Sequence, residues 1–115
     1  MKITIGSNVL TVTLADNPSV TALKNLLQKG PITIKMNDYN GMEKVGPLGT
    51  KIVQSDKNIS TNAGDVILYQ GSYFVIYYGK NSWSLTRIGK IDNINQEQLK
   101  NILGKGDVTV TISLD

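Results

Sequence analysis

The chain has 115 residues, a net charge of +3, no cysteine and no histidine. Without cysteine there is no disulfide or thiolate chemistry, and without histidine the commonest general base and metal ligand are missing. The lysines run from Lys2 to Lys105 with no cluster, which reads as a solvated surface and not as a nucleic-acid face. No apolar run reaches the ~18 residues of a membrane span. Met1 to Gly6 alternates like a strand and lacks the apolar block of a signal peptide, so a soluble, cytoplasmic chain is expected. The length predicts one domain, residues 1–115, able to bury a core.

Residues 2–15 read as a hairpin. Lys2-Ile3-Thr4-Ile5 alternates, Gly6-Ser7-Asn8 is turn chemistry, and Val9 to Leu14 alternates again, with Leu10, Val12 and Leu14 on one face. Asp16-Asn17-Pro18 opens a helix: Asn17 can accept from a free first-turn amide, and Pro18 suits a position that needs no donor. Val20, Leu23, Leu26 and Leu27 form its apolar stripe, and Lys29-Gly30-Pro31 ends it. Ile32 to Met36 is a third alternating strand. Residues 37–64 are the least regular part. Within them Glu43-Lys44-Val45 and Lys51-Ile52-Val53 are candidate strands, and Ser55 to Gly64 reads as an exposed polar loop.

The stretch from Gly64 to Ile91 carries four of the five tyrosines, the only Phe, the only Trp and the only Arg. Asp65 to Gln70 and Tyr73 to Tyr78 flank Gly71-Ser72, a tight hairpin turn. Tyr73 to Tyr78 is apolar on both faces, so it either lies between two layers or lines a pocket with its second face. Parity places Phe74, Ile76 and Tyr78 on one side and Tyr73, Val75 and Tyr77 on the other. Gly79 to Ser82 turns the chain into a strand from Leu85 to Ile91. The second helix carries a capping box of Asn95 and Gln98, an Ile94–Leu99 staple, a stripe of Leu99, Ile102 and Leu103, and a stop at Gly104. Asp107 to Leu114 is a strictly alternating last strand. Joining clean strands at the two chain ends hides two sheet edges at once, which favours a closed antiparallel barrel covered by two helices.

No catalytic constellation stands out. The nine acids form no close apolar pair, and Asp65 and Asp107 read as strand-start hydrogen-bonding residues. No phosphate loop opens a helix and no calcium-loop spacing occurs, so neither metal nor cofactor is expected. Arg87, on a strand with Trp83, reads as one half of a surface ion pair, with a ligand clamp as the alternative.

The order of elements, together with Asp16-Asn17-Pro18, Gly64 to Gln70, Trp83 to Ile91 and Gly106 to Ile112, resembles the small bacterial cyclophilin-like proteins. The resemblance covers nearly the whole chain and implies a mainly β fold, a closed antiparallel eight-stranded barrel with two capping helices. In true cyclophilins a proline peptide lies on the outer face of the barrel. Their catalytic arginine falls in a Phe-His-Arg run, and the matching Ile34-Lys35-Met36-Asn37 here has no arginine. The peptide-holding strand resembles Tyr73-Phe74-Val75, the pocket flanks fall near Tyr69 and Gln70, Trp83 stands near the pocket tryptophan, and the pocket histidine has no counterpart. The resemblance thus implies a non-catalytic binding module with a groove of Tyr69, Gln70, Tyr73, Val75, Trp83 and Arg87 for a proline-containing peptide or a small apolar ligand. The alternatives are a degenerate peptidyl-prolyl isomerase, in which Lys44 or Arg87 replaces the arginine, and an interaction partner of a separately encoded enzyme.

Overall fold

A computed structural model describes residues 1–115 as nine strands and two helices. In chain order these are β1 (Lys2–Ile5), β2 (Asn8–Leu14), α1 (Pro18–Leu27), β3 (Ile32–Tyr39), β4 (Glu43–Pro47), β5 (Lys57–Thr61), β6 (Asp65–Tyr69), β7 (Tyr73–Tyr77), β8 (Asn81–Ile91), α2 (Gln96–Leu103) and β9 (Val108–Ser113). Eight strands run β2-β1-β9-β3-β4-β7-β6-β8, and a β2–β8 pairing returns the order to its start. Every neighbouring pair in this ring is antiparallel. The chain ends meet as expected, with Ile3 of β1 opposite Ile112 of β9.

Closure depends on a close approach at Gly89, which lies opposite Leu14 of β2 and Val66 of β6. A Cβ there would sit 2.5 Å from the Thr13 carbonyl oxygen and 2.7 Å from Val12 Cγ1. Gly89→Ala is therefore expected to cost about 1–3 kcal/mol through overpacking. Urea unfolding checks this, and an unchanged midpoint would mean that β2 and β8 are not held together here.

The ring encloses one apolar core. Ile3, Val12, Ile34, Met36, Val66, Leu68, Phe74, Ile76, Ile88, Val110 and Ile112 point inward from seven strands. Val20, Leu23 and Leu27 of α1 and Leu99 and Leu103 of α2 join the same cluster. Both helices start as their caps predict. Asn17 Oδ1 accepts from Val20 N at 2.9 Å, and Asn95 and Gln98 satisfy each other's backbone amides. Ser19, polar by type, is fully buried in α1 because its hydroxyl donates to the Val53 carbonyl at 2.5 Å and meets Ser55 Oγ at 2.8 Å.

Four expectations are corrected. Lys51 to Val53 is not a strand; the segment instead crosses the β6–β7 turn, with Ile52 N donating to the Gly71 carbonyl. The turn itself takes in Gln70, whose φ of 54° is left-handed, so β6 ends at Tyr69. The supposed loop from Ser55 contains β5, and the last central strand begins at Asn81, not Leu85.

β5 pairs with the first half of β8, and this ribbon leaves the ring. Thr61 faces Asn81 while Asp65 faces Lys90. Thr61 and Asp65 are at most ~14 Å apart along the chain. A straight β8 would separate Asn81 from Lys90 by ~30 Å. β8 therefore bends, and its first half lies with β5 across the outer face of the ring. There Ile59 and Leu85 pack with Ile67, Val75 and Tyr77 in a second, smaller core.

Candidate functional site

The outer face is built by alternation. Phe74, Ile76 and Tyr78 point into the ring, so Tyr73, Val75 and Tyr77 point out, as expected. The groove expected above them is filled at its floor. Val75 is 2% exposed and Tyr77 is buried, because the β5/β8 ribbon covers them with Ile59 and Leu85. The sequence of β5, polar at four of five positions, hides this role: only Ile59 is apolar, and it packs on the covered face.

The remaining candidate residues divide into separate places. Tyr69 and Tyr73 face each other across β6 and β7, with ring centroids 6.4 Å apart and tilted by 39°. Gln70 joins them through its side-chain amide, which donates to the Tyr69 hydroxyl at 3.4 Å. Tyr73 is 39% exposed. Trp83 sits on the ribbon opposite Ile59 and is 61% exposed. Beside it is a shallow depression of about 490 Å³ lined by Asn58, Ile59, Ser60, Ser82 and Ser84. None of these residues lies on β6 or β7, so Trp83 forms a surface of its own. Arg87 forms an ion pair: its guanidinium donates to Asp65 Oδ1 at 2.7 Å, with Lys90 Nζ 3.5 Å from the same oxygen. Asp65 also accepts from Asn62 N at 2.7 Å, the strand-start role read from its position.

A polar row crosses the outer face beside the small apolar core. Glu43 of β4 lies opposite Tyr77 of β7, and Asn81 of the ribbon donates through Nδ2 to the Tyr77 hydroxyl at 3.2 Å. Glu43 is 9% exposed, and its Oε2 has no hydrogen-bond partner. Burial raises the Glu43 pKa above 4.5, with the charge of Asp38 adding to the effect against the opposing Tyr77 hydrogen bond. Burial and Glu43 also push the Tyr77 phenol upward. Sequence reading missed Glu43, although its spacing from Val45 already places the two on one face.

Inside the ring, Lys44 is fully buried. Its Nζ donates to the Gly106 carbonyl at 2.6 Å and pairs with Asp38 Oδ1 at 3.1 Å. The ammonium lies 5.6 Å from the centroid of the Tyr78 ring, and the Tyr78 hydroxyl donates to Asp38. The Tyr78 hydrogen bond, with Lys44 beside it, keeps the Asp38 carboxyl below its ordinary value. Burial and Asp38 push the Tyr78 phenol up to about 12. No group of three or more metal-binding side chains forms.

An eight-strand ring, two packed helices and an outer face with aromatic residues define a cyclophilin-like architecture. The sequence model of the Cyclophilin-like family matches residues 3–113, and the chain belongs to that family. The fold is similar to the solution structure of the hypothetical protein AF2241 from Archaeoglobus fulgidus. The likeness has a TM-score of 0.69 and 17% identity, covering 99% of this chain and 92% of that one. No curated protein matches the chain.

Proposed function

We propose that this protein is a non-catalytic module that binds an extended, proline-containing peptide at the β5/β8 ribbon on its outer face. The observation that carries the reading is Trp83, 61% exposed beside a depression and one strand away from a free sheet edge. β5 has β8 as its sole neighbour, so the backbone groups along its other side are open to an added strand. The ribbon's polar residues near Trp83 are uncharged Asn and Ser, which suit a neutral backbone. A proline ring stacking on the exposed indole supplies the apolar contact.

The cationic groups weigh against isomerase chemistry. Twisting a prolyl amide needs a donor at the nitrogen as its resonance is lost. Lys44 points into the ring and Arg87 is held by Asp65, so neither is offered at the exposed aromatic surfaces. A protease-coupled proline-peptide assay is expected to read background at micromolar protein.

Trp83 is the sole tryptophan, so its fluorescence reports binding directly in a titration with extended proline-containing peptides. Trp83→Ala is expected to abolish peptide binding while changing stability by less than about 1 kcal/mol, since the side chain is mostly in water. Undiminished binding by Trp83→Ala would overturn the reading.

A further inference from the structure

We propose that the β5/β8 ribbon is a proton-controlled strap: it lies closed over the outer face while Glu43 holds a proton and lifts when Glu43 ionises. The inference stands on contacts within this chain and does not depend on which peptide the protein binds.

The strap meets the ring at one end through a short chain of polar groups. Asn81 donates to the Tyr77 hydroxyl, and Tyr77 lies opposite Glu43. Asn81 is fixed to the strap itself, since its backbone amide donates to Thr61 Oγ1 at 3.0 Å. Across from Tyr77, the Glu43 carboxyl keeps one oxygen without a partner and out of water. A neutral carboxyl tolerates that position, whereas a carboxylate with an orphaned oxygen does not. Lifting the strap admits water to Oε2 and releases the bond from Asn81 to Tyr77.

The groups around Glu43 offer no compensating cation. Tyr77 on β7 and Tyr39, its cross-strand neighbour on β3, are phenols. Asp38 on β3 is an acid that repels the ionised form. Lys44, the next residue on β4, is turned into the ring and used by Asp38 and Gly106. Asp65 on β6 occupies Arg87 and Lys90. On the strap, Lys57 is at the far end, opposite Leu85, and Lys80 just before Asn81 is exposed.

The sign follows from burial. The closed form holds the Glu43 proton more tightly than a solvated glutamate with its ordinary value of 4.5. Closure is complete below that value and is lost as pH rises through the raised one. What the strap then uncovers is an apolar floor of Ile67, Val75 and Tyr77.

The chain has no cysteine, so a single introduced thiol reports on this floor. Val75→Cys is covered by the strap, and Tyr73→Cys provides an exposed reference. The ratio of their maleimide labelling rates cancels the intrinsic ionisation of the thiol. It is expected to rise roughly tenfold between pH 4.5 and pH 8 and to stay flat when Glu43→Gln is added. A ratio that is flat in the Glu43 background, or that rises equally with Glu43→Gln, overturns the proposal. In the unsubstituted chain, the Asn81 side-chain amide resonance should move toward its free position over the same interval. A stationary resonance also overturns it. Neither measurement uses a peptide, so failure here is distinct from failure of peptide binding.

Discussion

Phe74→Ala is expected to lower the free energy of unfolding by about 3–5 kcal/mol, the usual cost of deleting a fully buried aromatic ring. Phe74 is the largest apolar side chain in the ring and has no exposed surface. Its cross-strand neighbours are Gly46 on β4 and Leu68 on β6. Gly46 cannot grow into the cavity, because a Cβ there already strikes the Lys35 carbonyl oxygen at 2.5 Å. The lining therefore collapses poorly, and the cost should fall in the upper half of the range. Tyr73→Ala, one residue away on the other face, should cost less than about 1.5 kcal/mol, because much of its ring is already in water. Equilibrium denaturation of the two variants decides the matter, and similar costs would mean that the two faces of β7 are not distinct layers.

Lys44→Met is expected to cost about 2–4 kcal/mol at neutral pH. Removing one partner of a buried pair usually costs roughly 3–5 kcal/mol, since the other charge is left behind. The lower figure applies because the Asp38 side chain is 28% exposed and can recover some hydration. The Gly106 carbonyl also loses its Lys44 donor. The cost should also depend on pH. The folded state holds Asp38 below its ordinary value of 3.8, so its contribution to stability is present above that pH and is lost below it. Once the pH falls through the lowered Asp38 value, the carboxyl is protonated and leaves no unpaired charge, so the penalty of Lys44→Met should shrink in acid. Asp38→Asn combined with Lys44→Met should recover part of the loss at pH 7. A penalty independent of pH, with no recovery in the double variant, would mean that Lys44 acts through packing alone.

Much of the fold was legible in the residues because it is written locally. Asn17-Pro18 and the Asn95–Gln98 box start the two helices through hydrogen bonds to their own first turns, and both form. Alternation in Tyr73 to Tyr78 gave the inward face correctly, because a strand has only two faces and one must pack. The pairing of the first and last strands followed from the need to hide their edges.

Which face is open to solvent was decided elsewhere. β4 reads Glu43-Lys44-Val45, and the charged Lys44 points inward while Val45 packs outward against the small core. Alternation cannot distinguish these faces when both are covered. Lys44 is stable inside the ring because Asp38, Tyr78 and the Gly106 carbonyl arrive from distant parts of the chain. The position of β5 is the clearest case. Lys57-Asn58-Ile59-Ser60-Thr61 has the composition of an exposed loop, and only the bend of β8 lays it over Val75 and Tyr77. The sequence by itself determined the two helices with their caps, the first and last strands and the parity of the central strand, because these depend on neighbours a few residues away. The tertiary structure alone decided that the outer groove is strapped over, that Arg87 is spent on Asp65 and that Glu43 is buried without a full set of partners. Each of these depends on contacts between residues on different strands, and no local pattern encodes them.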